Sequence, residues 1–298
     1  MARIIVPTPL TLISSNVVAS TYVPWSSTIT YAEGARRTYT VGGIVHEYES
    51  LVDNNYGNQP DQSPAQWLDL GASNRYKMLD NYVSSKTENT GSIAVTVSCG
   101  AADTIALFGL SGTSVQIVVR AGGNVLSDTT MDLRLNPVST WTEYLFGQRE
   151  YRSDLVTSFY AIRSSLEVDI TITGGVATCG HVIIGRSIPL GLTQWGASAS
   201  VEDFSRKDTN DFGETTLVER AWAKLLEVDL WVEEGDGAEL DRIQSILAKY
   251  RATPSVYDFN NYGGTRQALI VYGHYRTFEL VAQYHTVTHC AIQIEGLT

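Results

Sequence analysis

Three potential metal ligands lie close together in the last part of the sequence: His285, His289 and Cys290. On a helix the two histidines would be neighbours on one face and could share a metal ion. The intervening residues, Thr286–Thr288, are all β-branched, however, and favour a strand. On a strand the histidines lie roughly 13 Å apart and Cys290 points to the opposite face. The sequence therefore predicts no metal site here.

A second segment partly matches the calcium-binding loop of an EF-hand. The first, third, sixth and twelfth positions of that loop correspond to Asp208, Asn210, Gly213 and Glu219. Phe212 occupies the fifth position, where calcium needs an oxygen ligand. We therefore interpret the segment as a turn rich in Asp and Asn. The acidic run 233–236 is interpreted in a similar way, as a solvated turn that precedes a helix.

Signatures of catalysis are absent from the sequence. It contains no Gly-x-Ser-x-Gly motif and no phosphate-binding glycine loop. Its 32 acidic residues could supply a carboxylate pair for glycoside hydrolysis, but no spacing singles one out. We predict a protein that is not an enzyme and has no cofactor. A polysaccharide-degrading enzyme is the alternative.

The composition excludes some classes of protein and favours others. The formal net charge is −11 and the 21 basic residues are scattered, so the chain lacks the basic face that nucleic acid requires. Sixteen of these residues are Arg and five are Lys, and they stand beside 16 Tyr and 6 Trp. Protein interfaces favour Arg, Tyr and Trp over Lys, although a GC-rich genome also replaces Lys by Arg.

The cysteines and the apolar runs bear on the cellular compartment. Cys99, Cys179 and Cys290 are far apart, which predicts neither a zinc site nor a disulfide framework. The first 20 residues contain Pro7 and Pro9 and polar breaks, unlike a signal peptide. No apolar run reaches the length of a membrane span, so we expect no membrane insertion and folding in a cytoplasm.

Patterns of alternation and turns divide the chain into three modules, at 1–72, 73–187 and 188–298. The first holds an N-terminal arm and a small β unit, which needs aromatic residues because so short a unit has little else to bury. The expected core aromatics are Trp25, Tyr31, Tyr48 and Trp67. Residues near turns are better placed to contact a sugar or a partner, and these are Tyr39, Tyr56, Asn54 and Asn55.

The patterns of the other two modules also predict mainly β structure. Apolar residues alternate with polar ones over 93–99 and 166–173, which predicts an antiparallel sandwich resembling a jelly roll. In the third module one helix is indicated by the spacing of Leu240, Ile243, Leu247 and Tyr250. Asp236 and Glu239 suit its N-terminal cap and Pro254 its end. Strands expected over 268–275, 277–282 and 286–294 make this module an α+β domain with one main helix.

The small β unit resembles the chitin-binding carbohydrate-binding modules of families five and twelve. The matching positions, in the order of the family pattern, are Trp25, Tyr31, Gly34, Tyr48, Pro60 and Trp67. Where that family has exposed tryptophans that stack on sugars, this chain has Leu51–Asn55, with Tyr56 the nearest aromatic residue. The resemblance implies the scaffold of such a module, and a host surface glycan as a partner.

Most of the chain also resembles virion proteins of tailed bacteriophages. Three stretches carry this resemblance: YESLVDNNYGNQPDQSPAQWLDLGASNRYKMLD, IIGRSIPLGLTQWGASASVEDFSRKDTNDFGET and CAIQIEGLT. It implies a structural protein at the tail tip or baseplate, located in the virion and assembled in the host cytoplasm. The implied partners are other virion proteins and copies of the chain itself. A receptor- or glycan-binding adsorption protein and a collar or head–tail-junction component are the alternatives.

Overall fold

Strands dominate the computed structural model, which describes residues 1–135, 140–147, 150–159, 165–209, 211–233, 238–260, 266–281 and 287–297. All pairings between these strands are antiparallel, and the predicted mainly β class is confirmed. The strands are, in chain order, β1 Ala2–Pro7, β2 Leu10–Ser15, β3 Thr30–Tyr31, β4 Arg36–Val41, β5 Ile44–Ser50, β6 Asn55–Tyr56, β7 Trp67–Ala72, β8 Thr87–Cys99, β9 Thr104–Phe108, β10 Ser114–Ala121, β11 Asn124–Asp132, β12 Leu155–Ser158, β13 Leu166–Cys179, β14 His181–Thr193, β15 Ser198–Asp203, β16 Arg206–Thr209, β17 Thr215–Val218, β18 Trp222–Glu233, β19 Ser255–Asp258, β20 Ile270–Val281 and β21 Val287–Gly296.

The small N-terminal unit consists of the three-stranded sheet β4-β5-β7 and the two-stranded β3-β6. Its core is aromatic: Tyr31, Tyr48 and Trp67 are buried, and Trp25 packs against them while half-buried. The rings of Tyr31 and Trp67 meet edge to face, with centroids 5.3 Å apart. Trp67 also donates a hydrogen bond of 3.0 Å from Nε1 to the carbonyl oxygen of Asn58. Aromatic burial thus supplies the core of a unit that has few aliphatic residues to bury.

The N-terminal arm does not belong to this unit, in contrast to the expected module at 1–72. Strand β1 lies between β14 and β19, and β2 pairs with β8. The arm joins these sheets because its apolar residues are buried there: Ile4 and Ile5 point to opposite faces and both are fully covered. The small unit is therefore an insertion between β2 and β8.

The middle of the chain forms the predicted sandwich. One layer is the five-stranded sheet β11-β10-β13-β8-β2. It packs on β9, β12 and the first part of β14, which belong to a second, nine-stranded sheet. The alternating residues of 93–99 and 166–172 face this core, as their period of two requires.

The nine-stranded sheet closes on itself in its second part. Its order is β12-β9-β14-β1-β19-β20-β21-β18-β15, and an additional pairing joins Leu192 and Thr193 of β14 to Trp231 and Leu230 of β18. Six strands, β14, β1, β19, β20, β21 and β18, therefore form a closed sheet. Its interior is apolar and includes Ile4, Leu226, Tyr257 and Ile292.

Strand β14 belongs to both the sandwich and the closed sheet. Its residues 181–185 pair with β9, and its residues 185–191 pair with β1. The expected boundary between 187 and 188 falls inside this strand, because one run of 13 residues serves two sheets. The C-terminal part is therefore continuous with the sandwich by backbone hydrogen bonds.

The main helix, α2 Ala238–Lys249, packs on the closed sheet through the predicted positions Ile243 and Leu247. Glu239 lies in its first turn and Lys249 in its last, in agreement with the helix dipole. The predicted cap residue Asp236 lies outside the described residues. A short helix, α1 Trp141–Phe146, precedes α2 in the chain, and the sequence patterns did not indicate it.

Strand β20 covers two expected strands. Most of the residues predicted as strands at 268–275 and 277–282 lie in this one strand, Ile270–Val281, which has an irregularity between Tyr275 and Thr277. A bulge of this kind interrupts alternation in the sequence without ending the strand.

No helix within the described part of the chain is long and apolar enough to cross a membrane.

Candidate functional site

The four contact residues predicted in the small N-terminal unit are in different environments. Tyr56 is 60 % exposed, and Asn54 beside it is exposed with a positive φ of 54°. Tyr39 is half-buried and meets Trp25 edge to face, with ring centroids 5.8 Å apart. Asn55 is buried, at 2 % exposure.

The prediction of a contact role for Asn55 is wrong, because its side chain is used inside the unit. Its amide donates to Ser50 Oγ at 2.9 Å and to the carbonyl oxygen of Gln66 at 3.3 Å. Its side-chain oxygen accepts from Asn58 Nδ2 at 2.8 Å. These bonds satisfy a buried amide, which would otherwise destabilise the fold. Asn55 therefore fixes the loop that presents Tyr56.

The aromatic residues of this unit give it one exposed ring. Of its seven Tyr and Trp side chains, Tyr56 alone is exposed. Burial, with a smaller contribution from Asp69, raises the pKa of Tyr48 to about 12. The Tyr48 phenol is thus neutral at ordinary pH and is a packing group. The unit offers one stacking surface for a sugar, at Tyr56.

The potential metal ligands near the C-terminal strand are not brought together. His289 lies on β21, where its Nδ1 accepts a hydrogen bond of 3.1 Å from Trp231 Nε1 and lies 2.8 Å from Gln194 Nε2. Cys290 is buried on the other face, inside the closed sheet. His285 lies outside the described residues. No group of three His, Cys, Asp or Glu side chains that could hold a metal ion occurs among the residues the structure describes.

The EF-hand-like segment forms a hairpin of β16 and β17 rather than a coordinating loop. Asp208 lies on β16, where its carboxylate accepts a hydrogen bond of 2.7 Å from Arg206 Nε. Phe212, in the turn, is 92 % exposed. Asn210 lies outside the described residues. The acidic residues are spread along the hairpin, as expected for a turn rich in Asp and Asn.

A cleft of about 300 Å³ lies between the sandwich and the closed sheet. Its walls are mostly apolar and include Phe108, Trp222 and Tyr272. The polar side chains Asp154 and Lys224 form an ion pair in its wall, with 11 % and 24 % of each side chain exposed. Clefts between structural units are common ligand sites, which makes this one a candidate.

Three polar residues of the cleft, Ser153, Asp154 and Lys224, join the two units. Besides its ion pair with Asp154, Lys224 Nζ donates to the carbonyl oxygens of Gln267 at 3.1 Å and Ile270 at 3.3 Å. A lysine with three acceptors around its ammonium group has no free proton donor. Ser153 also donates, through its backbone N–H, to Gln267 Oε1 at 3.1 Å. This arrangement is typical of a structural contact between units.

A buried histidine lies at the same junction. His181, at the start of β14, is 3 % exposed, and its ring centroid lies 5.0 Å from that of Tyr272. Burial lowers the pKa of His181 to about 4, and a hydrogen bond with the backbone of Met78 opposes this shift. Its Nδ1 has no hydrogen-bond partner within the described residues. The side chain is therefore neutral near pH 7.

An exposed apolar surface follows the edge of the closed sheet. We call residues 195–222 the flap; it contains β15, the hairpin β16–β17 and the first residue of β18. Every residue of β16 and β17 is exposed. The apolar side chains of the flap and their exposed fractions are Trp195 96 %, Val201 64 %, Phe204 45 %, Phe212 92 %, Leu217 73 %, Val218 44 % and Trp222 51 %.

The flap also contains an open strand edge. Among the described strands β15 pairs with β18 alone, and β16 pairs with β17 alone. An unpaired strand edge can pair with another chain, and large contiguous apolar patches are rare on monomeric proteins because they promote association. Sequence reasoning missed this surface, because the turns and short strands of 195–222 gave no period that separates buried from exposed positions.

A comparison of the chain with models of known protein families finds no match, and a comparison with curated proteins finds none either.

Proposed function

We propose that this protein is a non-enzymatic structural subunit of a tailed bacteriophage particle and that it binds other subunits through the flap. The observation that carries this proposal is the set of large apolar side chains that the flap exposes to solvent. Trp195 and Phe212, at 96 % and 92 % exposure, are the strongest members of that set.

The exposed area is comparable to that of a stable protein interface. Aromatic side chains bury on the order of 150–250 Å² each. The four aromatic and three aliphatic side chains of the flap together expose on the order of 800 Å², which matches the area per partner of a standard interface. Covering this surface would remove most of the cost of exposing it to water.

The structure of the cleft supports a role without catalysis. Its ion pair joins Asp154 to Lys224, which also donates to two backbone carbonyl groups. The rest of the wall is mostly apolar, with Lys86 a further polar residue in it. Catalytic groups need a position from which they can reach a substrate. The groups here hold the sandwich against the closed sheet.

The phage setting rests on the resemblance of three sequence stretches to tailed-phage virion proteins. One of these stretches, 183–215, contains β15 and most of the hairpin. Within the particle we propose the tail tip or baseplate, with a collar or head–tail junction as the alternative. The localisation is then the virion, and the partners are other virion proteins and further copies of this chain.

A paired-variant experiment tests the proposal. Phe212→Ser with Leu217→Ser removes two of the most exposed apolar side chains of the flap. The control Val18→Ser with Val23→Ser removes two others, 71 % and 65 % exposed, that lie outside it. Incorporation into particles is measured by proteomics of purified virions after complementation. We expect the flap variant to be absent from particles and the control to be present.

Two results would refute this proposal. One is a wild-type protein that is absent from the intact particle. The other is a flap variant that is incorporated as well as the control. Circular dichroism spectra of both variants should match the wild type, because all four positions are exposed and none contributes to a core.

A second candidate function, glycan binding, is favoured by the exposed ring of Tyr56 and the exposed Asn54 beside it. A sugar would stack on the ring and bond to the amide. Binding on an array of host polysaccharides should then disappear in Tyr56→Ala and persist in Tyr82→Ala, a tyrosine 64 % exposed outside this unit. A wild-type protein that binds no polysaccharide on the array removes this candidate.

A further inference from the structure

The hairpin β16–β17 is polarised in charge along its length. Arg206 and Asp208 pair with each other at 2.7 Å, so their charges cancel within the hairpin. The remaining charged residues at the base, where the hairpin joins the sheet, are Lys207, Glu219 and Arg220, with a net charge of +1. Those of the outer half are Asp211 and Glu214, with a charge of −2. All of these residues are exposed. The hairpin is therefore cationic at its base and anionic at its tip.

Neither face of the hairpin is covered. Lys207 opposes Leu217, so that these two residues share one face, and Arg206 opposes Val218 on the other face. Leu217 and Val218 are 73 % and 44 % exposed. A two-stranded hairpin with no layer against it is marginally stable in water. Such an element gains stability when another element packs on it.

We infer that the hairpin packs antiparallel against the same hairpin of a second copy of this chain. Each anionic tip then lies beside the cationic base of the other copy. The inference rests on the proposed assembly function and names the partner of the flap. A two-fold axis makes both contacts at once, because each copy supplies one tip and one base.

Self-complementarity favours a second copy over an unrelated partner. In the antiparallel arrangement the acidic residues Asp211 and Glu214 face Lys207 and Arg220, and no acidic cluster faces another. A parallel arrangement would place the two tips together and is opposed by like charge. The pairing also covers apolar side chains that the hairpin exposes, such as Leu217 at 73 % exposure.

Charge reversal tests this pairing. The tip variant is Asp211→Lys with Glu214→Lys, and the base variant is Lys207→Glu with Arg220→Glu. Light scattering coupled to size-exclusion chromatography measures the mass of each purified protein. We expect the wild type at twice its chain mass of 32.7 kDa. Each variant alone should be a monomer, with a dimer dissociation constant raised by at least about ten-fold.

Mixing the two variants gives the decisive measurement. A reversed tip then meets a reversed base, and an unmodified tip meets an unmodified base, so an equimolar mixture should return to the dimer mass. The control Glu33→Lys with Glu88→Lys makes the same change in net charge as the tip variant, on exposed residues outside the flap. It should remain a dimer.

The outcomes separate this inference from the proposed function. Variants that stay dimeric, or a mixture that stays monomeric, overturn the pairing of hairpins. If the wild type is monomeric but the flap variant Phe212→Ser with Leu217→Ser still fails to enter particles, the pairing is wrong and the assembly function stands. If the wild type is monomeric and is also absent from particles, both are wrong.

Discussion

Replacing His181 should change how the stability of this protein depends on pH. The pKa of His181 is lowered from 6.5 to about 4, mainly because the side chain is buried. Between these two values the unfolded chain binds a proton that the folded protein does not. Lowering the pH through this range therefore favours unfolding. The contribution of neutral His181 to the free energy of unfolding is fully present above pH 6.5 and is lost by about pH 4.

The size of the effect follows from the difference between the two pKa values. Each pKa unit corresponds to about 1.4 kcal/mol, so a fall from 6.5 to about 4 corresponds to about 3 kcal/mol in the free energy of unfolding. About 2.5 kcal/mol of this should be lost by pH 4.5. This is a large part of the stability of an ordinary domain.

Urea unfolding at several pH values between 4.5 and 7.5 measures this contribution. His181→Gln removes the titrating ring, and His274→Gln removes another histidine from β20. The difference in unfolding free energy between wild type and His181→Gln should shift by about 2.5 kcal/mol over this range, in favour of the variant at low pH. His274→Gln is the control for the loss of a histidine side chain elsewhere in the sheet. A difference for His181→Gln that is constant with pH would refute the reasoning.

Two further variants test the packing. Asp154→Ala leaves the ammonium group of Lys224 without its carboxylate in the wall of the cleft, and should lower the unfolding free energy by about 3 kcal/mol in urea titrations at pH 7. An unfolding free energy equal to that of the wild type would show that the pair contributes little. Gly185→Ala places a methyl group 2.0 Å from the carbonyl oxygen of Val6, and should cost about 3 kcal/mol or more by calorimetry. Gly175→Ala, with no atom within 4 Å of the added group, serves as its control, and equal melting points for the two variants would contradict this account.

The sequence predicts the elements whose pattern is local. Residues 93–99 alternate over one uninterrupted strand, and the face that they bury could be read from that period. Helix α2 was predicted in the same way, because Ile243 and Leu247 recur at the spacing of one helical face.

Pairings between distant segments could not be predicted. Strand β1 shows a short apolar run, and nothing in that run indicates that its partners are Ile188 on one side and Tyr257 on the other. The closure of the sheet depends on Leu192 meeting Trp231, a contact that leaves no periodic signal in either strand.

The candidate site also has features that the sequence predicts and features that it does not. Asn54 and Asn55 are adjacent and identical in type, so composition cannot tell that one is exposed and the other buried. The turn decides this, because Asn54 adopts a positive φ and reverses the direction of the chain. The flap was missed because exposure of Trp195 and Phe212 contradicts the usual burial of aromatic residues.

The position of β1 has a consequence for synthesis on the ribosome. The first strand partner of Ile4 lies roughly 180 residues later in the chain, and the second roughly 250 residues later. Pairing over such long separations should slow folding. Until these partners are made, the apolar residues of β1 stay exposed, and nascent chains on one messenger could associate through them. We therefore expect the yield of native protein to depend on chaperones that hold the amino-terminal residues while translation is completed.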